Sequence, residues 1–297
     1  MDRIWQWAWD RYACRYSWAI CAIAFLPLLQ TYLASSFLVV AFEDSDRYIE
    51  VTGVTAVAVL VLVYVLILPG LGEKRLVEQW AAGHEIDRAA ALDATYTYAR
   101  DMVARIVVGI AVWGAVLLVV VGAIAGASGW RLIQYGIIGA VTGTAIQLIS
   151  VHSFVEAMLR PARVAIAGDT GIGDSLPRSR PTFAAWSNVA VLAVAFTFAV
   201  AGALLAAVFD RAGEGPVLWV VIGGAMTLGF AVPISVGAAF APSLRPIRDL
   251  AAGTERVAAG DYSQRLPVVQ DDDLGALAVS FNRMQAGLAE RQRLQAA

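Results

Sequence analysis

Six stretches of this chain contain no Asp, Glu, Lys or Arg: residues 16–42, 51–72, 106–130, 132–155, 181–209 and 215–244. Each exceeds the roughly 20 residues needed to cross a bilayer core. They cannot be core helices of a water-soluble domain, because each is apolar around its whole circumference and nothing polar remains to cover them. The composition agrees: 59% of the 297 residues are hydrophobic, 15% are charged, and the mean hydropathy is +0.66. A net charge of only -2 excludes a nucleic-acid binder and an acidic disordered tail alike. The sequence therefore predicts an all-α fold whose main part, residues 16–244, is a six-helix transmembrane bundle.

Orientation follows from the basic residues. The N-terminus, the 73–105 loop, the 156–180 loop and the C-terminus hold 3, 5, 4 and 7 Lys+Arg, against one each in 43–50, 131 and 210–214. Positive loops are retained in the cytoplasm, so both termini of a multi-pass plasma-membrane protein are expected inside. The outer loops are too short to form a sensor domain, which places any sensing within or at the edge of the membrane. Residues 1–15 alternate Ile4, Trp5, Trp7, Trp9 and Tyr12 with Arg3, Arg11 and Arg15, the pattern of an amphipathic helix in the headgroup region, contacting membrane lipid. The first window, at 27 residues, is too long for a secretory apolar region and is expected to stay as an anchor. Cys14 and Cys21, seven apart on one helix, lie too far apart to bond and read as reduced apolar residues.

No window contains an acid or a strong base, which argues against ion-coupled transport. His152 lies one helical turn before Glu156; it reads as an interfacial histidine satisfied by water or backbone, with a pH-responsive pair as the alternative. Gly139 with Gly143, and Gly122 with Gly126, form small-xxx-small pairs expected at close helix contacts. Pro233 in the last window removes a backbone hydrogen bond and predicts a bend. The outer loop carries Glu43, Asp44, Asp46 and Glu50; four acids in eight residues read first as a solvated turn and second as a divalent cation site. No cofactor-binding or metal residue is assigned.

A run recurs after each even-numbered window: Arg75 to Gly83, Arg160 to Gly168 and Arg245 to Gly253, with the closing glycines 85 residues apart both times. It suggests three hairpins, each continuing into a short cytoplasmic helix that begins at an arginine, with Pro161 and Pro246 in first turns. Convergence at a membrane exit is the alternative to true triplication. From residue 245 the composition turns polar. Ile247, Leu250, Thr254 and Val257 are spaced 3-4-3 and stop near Gly260-Asp261; Tyr262, Leu266 and Val268 mark a connector; Leu274, Leu277, Phe281, Met284 and Leu288 repeat 3-4-3-4 as a heptad seam. Seams this short need partners, and a parallel four-helix bundle from two chains supplies them.

These residues, over 242–295, resemble the HAMP domain of bacterial transmembrane receptors. Pro246 opens the first helix, and Asp272-Asp273-Leu274-Gly275 followed by Phe281-Asn282-x-Met284 opens the second. HAMP domains usually carry Glu where Asp273 stands; an acid is kept at the helix start. The whole chain also resembles the membrane half of actinobacterial, especially mycobacterial-type, class III adenylate cyclases. That resemblance rests on the six windows with tiny outer loops, on Leu159 to Arg163, on Gly168 to Pro181, and on Gly287 to Leu294. A single lysine, Lys74, beside 21 arginines fits a high-GC bacterial genome.

The resemblance implies a homodimeric receptor and transducer, residues 245–297 being the HAMP domain and the start of an output-coupling helix. It implies a cyclase catalytic domain, in cis and outside these residues, that converts ATP to cyclic AMP with magnesium or manganese. No catalytic residue is carried over to this chain. Residues expected to transmit the signal are Pro233, Pro246, Ile247, Leu250, Val257, Leu274, Leu277, Phe281 and Met284. The alternatives are the input module of a histidine kinase, chemoreceptor or diguanylate cyclase, a structural membrane anchor or dimerisation domain, and a small-solute channel.

Overall fold

The structure is a computed structural model that describes residues 2–168, 170–174, 183–212, 216–226, 228–229, 244–270 and 272–296. Among the described residues every regular element is helical. The helices are α1 (Asp2–Tyr12), α2 (Tyr16–Phe42), α3 (Tyr48–Ile67), α4 (Glu73–Ala81), α5 (Arg88–Ala125), α6 (Gly129–Ala167), α7 (Phe183–Ala212), α8 (Pro216–Met226), α9 (Arg245–Ala258) and α10 (Asp273–Ala296). Among the described residues five stretches are long and apolar enough to cross a membrane: Arg3–Phe42, Tyr48–Ile67, Arg88–Ala125, Gly129–Ile149 and Ala185–Ala207. Of the sixth window, α8 and 228–229 are described; Pro233 lies outside the described residues.

Two helices overrun their windows. α5 has 38 residues and α6 has 39, so at 1.5 Å per residue each continues well past a bilayer core of about 30 Å. Asp87 caps the N-terminus of α5, its carboxylate accepting from Ala90 N at 3.2 Å. The turn between the two helices is made by Gly126, whose φ of +89° closes α5 in the left-handed region. Gly126 is thus a terminator rather than half of a contact pair.

The close contact of α5 with α6 is made instead by Gly114, facing Gly139. A Cβ on Gly139 would sit 2.2 Å from the Gly114 carbonyl oxygen, and one on Gly114 would sit 2.6 Å from that of Gly139. Gly143 meets Ile110 and Gly122 meets Tyr135 along the same face. The stripe on α6 was visible as a spacing; its partner Gly114 was not, because a lone glycine has no period.

The recurring run takes three different forms. After α3 the chain turns at Leu68 to Gly72, then forms α4, which Gly83 closes at φ +84°. After 129–149 there is no new helix: α6 runs on through Pro161 to Ala167, and Gly168 ends it. Pro161 is therefore inside a helix and not in a first turn. Only α9 begins at its arginine with Pro246 in the first turn. Gly253 is mid-helix, and its missing side chain makes room for Leu266 and Phe281.

α1 buries Trp5, Ala8 and Trp9 and leaves Ile4, Trp7 and Tyr12 exposed. Trp5 packs edge-on against Phe154 of α6 with ring centroids 5.4 Å apart. Part of the aromatic face thus packs on the protein.

Gly139→Leu forces a side chain into a backbone contact. We expect it to lower the stability of the detergent-solubilised chain by about 1–3 kcal/mol or more. Gly202→Ala, in open surroundings, is expected to change it little. Thermal melting followed by circular dichroism compares the two.

Candidate functional site

The overrunning ends of α5 and α6 meet the C-terminal helical unit around one guanidinium. Arg163 of α6 is fully buried, at 0% exposure. Its Nε donates to Thr95 Oγ1 at 3.0 Å, its Nη1 to Glu156 Oε2 at 2.6 Å and to the Val269 carbonyl at 2.7 Å, and its Nη2 to the Thr95 carbonyl at 3.4 Å. The Tyr96 ring lies 4.1 Å below its carbon. Thr95 and Tyr96 belong to α5, Glu156 to α6, and Val269 to the connector between α9 and α10. One side chain therefore ties three segments, and in a dry site those charge-assisted bonds are strong.

Two further ion pairs flank it. Arg160 of α6 reaches Asp249 of α9 at 2.6 Å, and Arg265 of the connector pairs with Asp174. His152 stacks on Trp186 of α7 with ring centroids 4.9 Å apart. Asp272 is buried at the start of α10, accepting from Leu274 N at 3.0 Å and Gly275 N at 3.2 Å. Burial pushes its carboxyl above the usual range and Glu156 adds to the rise, while the capping N–H groups and His152 oppose it.

Within the C-terminal unit the starts of the helices lie together. Pro246, Ile247 and Leu250 share a cleft with Leu274 and Leu277, so α9 and α10 run parallel. Phe281 is buried with Leu266, Val268, Ala278 and Val279, and Leu250 and Val257 pack against that cluster. Asn282 holds the connector from both sides, accepting from Leu266 N at 2.8 Å and donating to its carbonyl at 2.9 Å. Gln285 donates to the Tyr262 and Gln264 carbonyls. Gly275 is required where α10 backs onto the connector, since a Cβ there would be 2.2 Å from the Gln270 carbonyl oxygen. Ile247, Leu277 and Met284 are 45%, 47% and 49% exposed, a row of apolar side chains left on one face.

The same arginine-rich end is tied together by side chains that close helix termini. Glu78 of α4 accepts from Ser17 N and Oγ at the start of α2, and Arg105 donates to the Leu66 carbonyl near the end of α3. The Tyr16 hydroxyl donates to the Met158 carbonyl. Lys74 is buried over the Tyr98 ring, and its pKa is lowered to about 8 by burial and then by Arg105.

At the opposite end the acids around the turn between α2 and α3 do not converge. Glu43 pairs with Arg131 at 3.2 Å and accepts from the Tyr135 hydroxyl at 2.5 Å, while Asp44, Asp46 and Glu50 are exposed. Among the described residues no three His, Cys, Asp or Glu side chains gather where they could hold a metal ion.

Sequence reasoning singled out the seam residues and His152, and the structure brings Leu250, Val257 and Phe281 into one cluster. It missed Thr95 and Gln285, gave Asn282 no role beyond its place in the HAMP motif, and saw Arg163 only in a recurring run and in the Leu159 to Arg163 resemblance. A usable signal was the Glu156–Arg163 spacing, which puts an acid and a base on one face two turns apart.

Residues 241–290 match the HAMP domain family. Over 52 residues the chain is 36% identical to the signal transduction histidine-protein kinase BaeS of Escherichia coli (strain K12). That stretch is 18% of this chain, which covers only 11% of the length of the relative it matches. No solved structure matches. The chain is thus a membrane protein carrying a HAMP domain, a signal-transducing module.

Replacing Arg163 by Met leaves Glu156 buried without its cation. We expect a loss of about 3–5 kcal/mol, a good part of it restored by adding Glu156→Gln; thermal melting of the four proteins closes the cycle. The raised carboxyl of Asp272 carries a sign as well. Between the ordinary carboxylate value and the raised one, the folded state holds more protons than the unfolded state, so stability falls as pH rises through that window. Asp272→Asn, which keeps a capping oxygen, should flatten the dependence of melting temperature on pH there.

Proposed function

We propose that this chain is the input and transmission half of a homodimeric plasma-membrane receptor that drives a class III adenylate cyclase. The membrane helices change packing, α5 and α6 carry the change past the bilayer, and the HAMP domain passes it to the catalytic domain. The observation that carries this reading is the buried Arg163, which bonds α5, α6 and the HAMP connector at once. A transducer needs two packings separated by a few kcal/mol and an input that prefers one. A junction held by a few strong bonds, rather than by a large apolar interface, suits that requirement.

The exposed row of Ile247, Leu277 and Met284 supports the dimer: a second copy supplies what each seam lacks, giving a parallel four-helix bundle. The count of 19 Lys and Arg in alternate loops against 3 in the others supports a cytoplasmic HAMP domain and cytoplasmic termini. A cyclase as effector is supported by the resemblance of Leu159 to Arg163, Gly168 to Pro181 and Gly287 to Leu294. Magnesium or manganese belongs to that catalytic domain. A second reading, a histidine kinase as effector, is favoured by the identity with BaeS, which is confined to the HAMP region.

Membranes containing the native protein should convert ATP to cyclic AMP with magnesium or manganese. Phosphorylation of the protein by labelled ATP without cyclic AMP formation would favour the kinase instead. Phe281→Leu, which keeps apolar bulk in the buried cluster, should shift basal output several-fold and change its response to input. Unchanged output with unchanged response would count against coupling through this seam.

A further inference from the structure

Lys74 is the only lysine of the chain, and it stands in the first turn of α4, just past the apolar stretch Tyr48–Ile67. It is 7% exposed, and its Nζ lies 4.5 Å from the centre of the Tyr98 ring. Among the described residues it forms no hydrogen bond and no ion pair. The groups that carry charge around it are Arg105 of α5 and Glu73 and Glu78 of its own helix. Glu78 is taken up by Ser17 N and Oγ. Arg105 uses Nη1 on the Leu66 carbonyl at 3.3 Å and has further N–H groups to offer. A lysine held away from water beside a second cation is driven toward the neutral amine, first by desolvation and then by like charge. Both conditions make a lysine nucleophilic.

We propose that Lys74 is a carbamylation site: its buried, unpaired Nζ adds to carbon dioxide, and the carbamate so formed pairs with the Arg105 guanidinium. The nitrogen lone pair forms the N–C bond while one C=O π pair moves onto oxygen. The nitrogen then gives a proton to water and leaves a carbamate anion; no electron is transferred. Three observations select this reagent. Burial favours a small, uncharged electrophile, and carbon dioxide enters apolar surroundings without losing hydration. The product exchanges two facing cations for an anion beside Arg105, so the modification relieves a repulsion instead of creating a lone buried charge. With the amine lowered from 10.5 to about 8, its reactive neutral form at neutral pH is on the order of a hundredfold more abundant than in an exposed lysine.

The carbamate ends the contact of a cation with the Tyr98 ring and draws Arg105 toward α4. Thr95 and Tyr96, which hold Arg163, lie within a turn of Tyr98 on α5. The use of the modification as an input rests on the transducer reading above; its formation does not.

The test is solid-state NMR of the full chain in liposomes, its lysine isotope-labelled at Nζ; because that lysine is single, one labelled side-chain nitrogen is observed. Under carbon-labelled carbon dioxide at fixed pressure we expect a directly bonded nitrogen–carbon pair that vanishes when the gas is removed. It should grow as pH rises, since the ammonium gives up two protons for each carbamate. Unfolding in dodecyl sulfate returns the amine toward its ordinary value and should weaken the pair about tenfold or more. Arg105→Gln, which keeps a donor for the Leu66 carbonyl and should keep wild-type melting, is expected to weaken it several-fold. A nitrogen with no bonded carbon at saturating carbon dioxide overturns the proposal. So does a pair equally strong in the folded and unfolded chain, or one undiminished by Arg105→Gln. If the pair forms as expected while carbon dioxide moves the output of native membranes and of membranes bearing Lys74→Arg alike, the site stands and its role as an input falls.

Discussion

A guanidinium with no access to water must be satisfied by protein or it does not stay buried. For Arg163 the partners among the described residues include Glu156 on its own helix, Thr95 and Tyr96 on α5, and the Val269 carbonyl of the HAMP connector. Remove any one and the rest is left with a desolvated charge, a cost that exceeds the worth of the bond itself. The position of the HAMP connector beneath the membrane helices is therefore tied to the relative position of α5 and α6. Asp249 with Arg160 and Asp174 with Arg265 lie nearer the surface, where ion pairs contribute less.

The α5–α6 pair that supports this point is held by backbone contact. Gly114 and Gly139 bring the two helices together within the bilayer, where there is no hydrophobic drive and close packing is what associates helices. Past the bilayer the same two helices continue as a stem, onto which Arg105 fastens the end of α3, the Tyr16 hydroxyl the start of α2, and the Lys74–Tyr98 contact α4. In the transducer proposed above, a change of packing in the membrane reaches the HAMP end through these stiff elements. α10 and the connector are in turn kept together by Asn282 and Gln285, and α9 joins them through Leu250 and Val257.

Much of this was legible in the residues because it is periodic or compositional. Charge-free windows mark apolar helices, 3-4-3-4 spacing marks the last helix, and Gly260 and Asp272 mark where helices stop and start. The overrun of α5 was not legible, since Arg88 to Arg105 is polar in composition and is packed as a helix through its tertiary partners Lys74 and Arg163. The continuation of α6 through Pro161 defeats a local rule for a similar reason: packing retains the helix where propensity would end it. The Arg163 bonds join residues 68 and 106 positions apart, and no local pattern reports them. Glu43 reads as one acid among four, and only the approach of Arg131 and Tyr135 sets it apart.

The central claim is that Arg163 holds the HAMP connector against α5. It is tested most directly by a distance between spin labels on Ala90→Cys and Gln264→Cys, both exposed positions, in a chain freed of Cys14 and Cys21. The account predicts one narrow distance distribution in the otherwise native protein and a broadened or displaced one when Arg163 is replaced by Met. A broad distribution in the native protein, or the same narrow one in both, would contradict it.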